Sequence, residues 1–166
     1  SGFDPLSRTC RFMLTEEAHH MFVGETGLGR VIKRALEVME EIKSDDPGAI
    51  RRAGAIDLPL IQKYINFWFS SAQDLFGSDT STNAANYFAN GLKGRPDEDQ
   101  YEDHVVKDAT YEIEEVLEDG SIKIATIPMR NAMNVIARRA YVKDCDIGVQ
   151  RWNRIIRKAG VDFEIT

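Results

Sequence analysis

The chain has 166 residues, enough for one domain with a hydrophobic core, and its 43% hydrophobic and 29% charged residues are ordinary for a globular protein. No apolar stretch approaches a membrane span, and a net charge of −6 argues against nucleic acid as the main partner. Two cysteines, Cys10 and Cys145, argue for a reducing, cytoplasmic setting without a disulfide framework, and with only three histidines they argue against a closed zinc site.

No cationic, apolar leader stands at the start. The chain opens Ser1-Gly2-Phe3 rather than with Met, so it is expected to be a trimmed, processed or partial product. The charge is uneven. Asp97 to Asp119 carries eleven acids against one lysine, most simply a solvated surface. Met129 to Gly160 carries eight bases against two acids, a stretch able to face an anionic ligand.

Pro5 suits the first turn of a helix running to about Val23. Within it, Cys10, Met13, Leu14, Glu17, His20, Met21 and Gly24 follow a helical stripe, which reads as a buried face with Cys10 a small core residue. Glu17 and His20, three residues apart, project from one side of that helix. Helix-bundle di-iron carboxylate proteins present ligands this way, with one Glu-x-x-His from each of two helices and a carboxylate from each of two more. Glu-x-x-His also arises by chance on solvated faces, and Glu16 with His19 forms a second pair rotated by one residue. A buried carboxylate would need a partner or a metal.

Gly24, Gly27 and Gly29 are expected to mark a kink, a tight helix contact or a break before an amphipathic helix from Leu28 to Ile42. Asp45-Asp46-Pro47-Gly48 stops it. Asp57 reads as the N-cap of a helix to about Leu75, aromatic on several sides and therefore expected to be central, with Trp68 and Phe69 in the core beside Trp152. Ser81 or Thr82 caps a short helix over Asn83–Asn90, followed by a loop from Gly91 to Pro96. Asp119-Gly120 between β-branched runs predicts a hairpin pairing Tyr111–Val116 with Ser121–Ile127. Helix returns from Met129, with Ala132, Met133, Ile136, Ala137 and Ala140 apolar, an expected interruption near Cys145–Gly148 and an end at Gly160. The fold class is mainly α with a small hairpin near 111–127. We read it as a single domain in four stretches: 1–44, 45–108, 109–128 and 129–160.

Three segments exceed what propensity explains, Asp74-Leu75-Phe76-Gly77, Asn83-Ala84-Ala85-Asn86 and Gly91-Leu92-Lys93-Gly94-Arg95, and Phe12 to Gly24 (FMLTEEAHHMFVG) stands with them. With Gly54-Ala55-Ile56-Asp57-Leu58-Pro59 and Arg151-Trp152-Asn153, they closely resemble the oxygenase component of benzoyl-CoA 2,3-epoxidase over nearly the whole chain. The resemblance implies a portion of a ferritin-like di-iron carboxylate monooxygenase, which epoxidises the ring of benzoyl-CoA, or a related aryl-CoA, with dioxygen. Electrons would come from a separate NADPH-dependent flavin and iron–sulfur reductase. It makes Glu17 and His20 iron ligands and Glu16 and His19 residues that support the ligands. The family's chain is much longer, and residues 1–166 look like an internal stretch beginning near its last ligand-bearing helix. The other Glu-x-x-His and both remaining carboxylates would lie in an N-terminal segment not in this sequence, so the isolated chain is expected to hold no di-iron centre and to be inactive.

Coenzyme A carries phosphates, so an aryl-CoA enzyme needs cations beside its channel. Lys93 and Arg95 in the Gly-rich loop and Arg130, Arg138 and Arg139 on the basic helix are the candidates, against the simpler reading of a solvated face. Arg95 stands first, because Gly91 and Gly94 permit close backbone approach. Two other readings are a non-catalytic aryl-CoA-binding or scaffold piece, and a homo-oligomeric metalloprotein whose copies share the site.

Overall fold

The computed structural model describes residues 3–96, 98 and 109–166. Part of the acidic stretch and the end of the 45–108 stretch therefore lie outside the described residues. The described residues are mainly helical with one two-stranded antiparallel sheet. Among the described residues, no helix is long and apolar enough to cross a membrane.

Helix α1 runs unbroken over Asp4–Ile42, with Pro5 in its first turn. The expected break at Gly24, Gly27 and Gly29 is absent. Isolated glycines cost a helix roughly 1 kcal/mol each, too little to interrupt one this long. Gly29 is instead the tight contact: a Cβ there would lie 3.6 Å from Ile155 Cδ1 and 4.0 Å from Trp152 Cδ1. The helix ends with Lys43 in the left-handed region (φ 54°) and Ser44 N–H donating to the Met39 carbonyl, a Schellman closure on a residue other than glycine. Asp46 then caps a short helix that the sequence reading missed, α2 over Pro47–Arg52, accepting from Ala49 N at 2.6 Å.

Helix α3 covers Leu58–Gln73. Asp57, fully buried, caps it by accepting from Leu60 N at 3.0 Å, and its other oxygen accepts from Arg51 Nε at 2.6 Å. A 3-10 turn over Asp74–Phe76 follows, ended by Gly77 at φ 76°. Ser81 caps α4 over Thr82–Ala89. Strands β1 (Thr110–Val116) and β2 (Ile122–Pro128) pair antiparallel with Ile113 opposite Ala125. Their connection is one residue longer than a bare Asp-Gly turn: Leu117 N–H bonds the Ser121 carbonyl, Gly120 N–H bonds the Leu117 carbonyl, and Gly120 takes φ 80°. A 3-10 turn, Met129–Ala132, leads into α5 over Met133–Lys158. Helix α5 passes through Cys145–Gly148 without the expected interruption.

The chain divides into two compact units, and both α1 and α5 contribute to each. One comprises residues up to Arg11 and Gln73–Val142. Its small core is Ala84, Phe88 and Met133, with Ile136 against them. The other comprises Phe12–Ala72 and Lys143–Thr166. Its core gathers Ile32, Ala35 and Leu36 of α1, Leu58 and Ile61 of α3, Ile156 of α5 and Ile165 of the tail. Buried Asn153 holds that tail, accepting from Ile165 N and donating to Ile165 O, both at 2.8 Å. Gln62 grips Thr166 in the same two-bond manner.

The expectation of a central aromatic helix is corrected. Tyr64, Phe67 and Trp68 are exposed, because only the Leu58–Ile61–Ile65 side of α3 meets this core. Trp152 packs on the core as expected.

Candidate functional site

Because α1 is continuous, Glu17 and His20 share one side of it. Glu17 Oε2 lies 3.6 Å from His20 Nδ1, too long for a hydrogen bond but near enough for both to face one ion. Glu16 and His19 make no such approach: no ion pair joins them among the described residues, and the His19 and His20 rings stand 6.4 Å apart. Residues 8–24 are exposed on every side of the helix, so the stripe read as buried is open in this chain, Cys10 included. Helical period identifies a face but supplies no partner to cover it. Among the described residues no group of three or more His, Cys, Asp or Glu side chains is placed to hold a metal.

The basic candidates separate once their partners are known. Arg95 Nε donates to Glu98 at 2.8 Å and its Nη1 lies 3.3 Å from Met129 Sδ, so the residue placed first is held within a local ion pair. Arg138 donates to Asp79 and to the Gly77 carbonyl, and its Nε is buried without a hydrogen-bond partner among the described residues. Arg139 lies over the Tyr111 ring, 5.3 Å from its centre, and donates to its hydroxyl at 2.8 Å. Arg130 is exposed. Lys93 Nζ donates to Asn134 Oδ1 at 2.7 Å.

Asn134 is the residue that sequence reasoning missed. It is a buried amide on α5, and its Nδ2 donates to the Ser78 carbonyl at 2.9 Å. With Asn131 of the preceding 3-10 turn, whose carbonyl accepts from Ser81 N, and with Arg138, it ties the 77–81 loop to the start of α5. Lys93 and Arg138 are thereby attached to the same scaffold. A single polar residue inside an apolar period carried no signal of this role.

Three consecutive residues of the terminal motif each make a specific bond inside their own unit, Phe12–Ala72 with Lys143–Thr166. Arg151 donates to the Glu25 carboxylate, Trp152 Nε1 donates to the Glu25 carbonyl at 3.2 Å, and Asn153 holds Ile165. This motif is structural. A shallow groove between Lys33, Met39, Lys43 and Lys158 includes none of the predicted residues.

No protein-family model matches the chain. It is 52% identical, over 169 aligned positions that cover all of it, to the protein named benzoyl-CoA oxygenase component B of Aromatoleum evansii. It spans about a third of that relative's length (35%). As its motifs implied, the chain is similar from end to end to a portion of benzoyl-CoA oxygenase component B.

Proposed function

We propose that this chain is part of a cytoplasmic di-iron oxygenase that epoxidises the aromatic ring of benzoyl-CoA, working with a separate electron-supplying reductase. The observation that carries the reading is the whole-length similarity to a protein named as a benzoyl-CoA oxygenase component. The word "component" also supports a system of several proteins.

The donor types suit non-haem iron: a carboxylate and an imidazole, adjacent on one helix. Two donors are too few to hold a di-iron centre, so the remaining ligands come from polypeptide outside this chain. In the assembled site Glu17 and His20 hold iron through Oε2 and Nδ1, the two atoms that already approach one another. Glu16, on the neighbouring side, accepts an N–H from a ligating imidazole and so sets its tautomer. His19 supports the same layer. When bound, the metal centre supplies the dioxygen chemistry. The open apolar side chains around the pair, Met13, Leu14 and Met21, then exclude water once covered.

The test uses the complete protein with reductase, NADPH, dioxygen and benzoyl-CoA, with iron quantified beside turnover. Glu17→Gln and His20→Ala are each expected to lower both iron content and epoxide formation by at least about tenfold. The 166-residue chain alone is expected to give no turnover. Full iron content in both variants would overturn the ligand assignment. Turnover by the chain alone would favour a site shared between copies.

A further inference from the structure

Lys93 differs from the other candidate cations in what surrounds it. Arg95 and Arg138 are neutralised by Glu98 and Asp79, Arg139 lies on Tyr111, and Arg130 is exposed and solvated. Lys93 is half-buried, and among the described residues no carboxylate pairs with it. Its side-chain partner among the described residues is the neutral carbonyl end of Asn134. Burial pushes its pKa below the ordinary lysine value, because the charged form is drawn partly out of water.

The ammonium is also held in place. The Lys93 backbone N–H bonds the Tyr87 carbonyl at 3.2 Å. Asn134 is buried and cannot turn, because its other end is engaged by Ser78. One ammonium proton is used by Asn134, which leaves two donors. A fixed, half-buried ammonium with spare donors and no carboxylate partner among the described residues is organised for an anion, and hydrogen bonds to charged groups rank among the stronger ones.

Resting on the function proposed above, we propose that Lys93, positioned by Asn134, contacts a phosphate group, supplied by the coenzyme A part of the thioester substrate. Arg95, Arg138 and Arg139 are structural in this assignment.

The experiment measures binding of coenzyme A, pantetheine and inorganic pyrophosphate to the complete protein by calorimetry, in wild type, Lys93→Met, Lys93→Arg and Arg130→Ala. Lys93→Met is expected to weaken coenzyme A by about tenfold or more, to leave pantetheine unchanged, and to be partly rescued by Lys93→Arg; Arg130→Ala changes neither ligand. In turnover, KM for benzoyl-CoA should rise by the same factor with kcat unchanged. A second readout needs no variant: in the wild-type protein, coenzyme A should protect Lys93 from an amine-acylating reagent, and pantetheine should not. Unchanged coenzyme A affinity in Lys93→Met, equal loss for pantetheine, or no protection would each overturn the assignment. Pyrophosphate binding at Lys93 without coenzyme A binding would overturn the thioester as the source. If the wild-type protein binds coenzyme A through Lys93 yet does not oxidise benzoyl-CoA, the function proposed above fails and the phosphate contact stands.

Discussion

The two halves of α1 share one unbroken backbone and meet opposite surroundings. Past Gly29 the helix buries Ile32, Ala35, Leu36 and Val38 against α3, α5, the tail and the α2 segment. Over residues 8–24 it is exposed on every side, and Phe12 and Leu14 are 76% and 70% open. Both halves carry apolar residues at helical spacing, so the difference lies in the partner, not in the helix. Contiguous exposed apolar surface of this kind marks a place where something packs. Met13, Leu14 and Met21 of this surface lie on the side that carries Glu17 and His20, which is why the proposed function assigns that half to ligands from elsewhere.

Several substitutions sharpen or break this contrast. The largest effect belongs to the packed half: Ile32→Ala should lower the unfolding free energy of the chain by about 2–5 kcal/mol, whereas Leu14→Ala should stay within about 0.5 kcal/mol. Urea denaturation of both variants decides it, and equal losses would show that the exposed half is covered after all. Asn153→Ala comes next, with an expected cost of about 1–3 kcal/mol, because the Ile165 N–H and carbonyl lose their partners. Faster hydrogen exchange of the Ile165 amide should accompany it. The glycines divide the same way. Gly29→Leu should cost about 1–3 kcal/mol by crowding Trp152 and Ile155, while Gly24→Ala, with open space around it, should gain up to about 1 kcal/mol.

The smallest effect is expected in the hairpin turn. The Ser121 hydroxyl and then its amide, both donating to Asp119, hold that carboxyl below the ordinary aspartate value of 3.8. The folded state therefore binds this proton less readily than the unfolded one. The contribution is fully present above pH 3.8 and fades as pH falls through the lower folded value. Asp119→Asn should lose part of the acid-side slope of stability between about pH 5 and pH 2 and match the wild type in shape at neutral pH. An unchanged slope would show that the turn bonds do not persist in solution.

Much of the fold was legible because its signals are local. Asp57 and Ser81 cap helices α3 and α4, and Asp119-Gly120 turns the hairpin, since each acts through backbone within a few residues. The misreadings were local rules overruled by length and packing. Gly24 to Gly29 and Cys145 to Gly148 resemble breaks, yet long helices absorb them, and Gly29 is wanted small because α5 packs there. The Lys43 closure was missed because its left-handed residue is not glycine, and helix α2 because Asp46-Pro47, an N-cap followed by proline in the first turn, also reads as a stop.

The candidate site shows the same division. Sequence alone determined that Glu17 and His20 share a helical side and that Lys93 stands in a glycine-rich loop, because spacing and composition settle such matters without a third dimension. Only tertiary structure decided that Arg95 is held by Glu98, that Asn134 fixes Lys93, that Trp68 faces outward, and that the ligand-bearing half of α1 is uncovered in this chain. Burial and charge compensation belong to pairs of surfaces distant in sequence, and no periodicity within one segment can specify the segment it will meet.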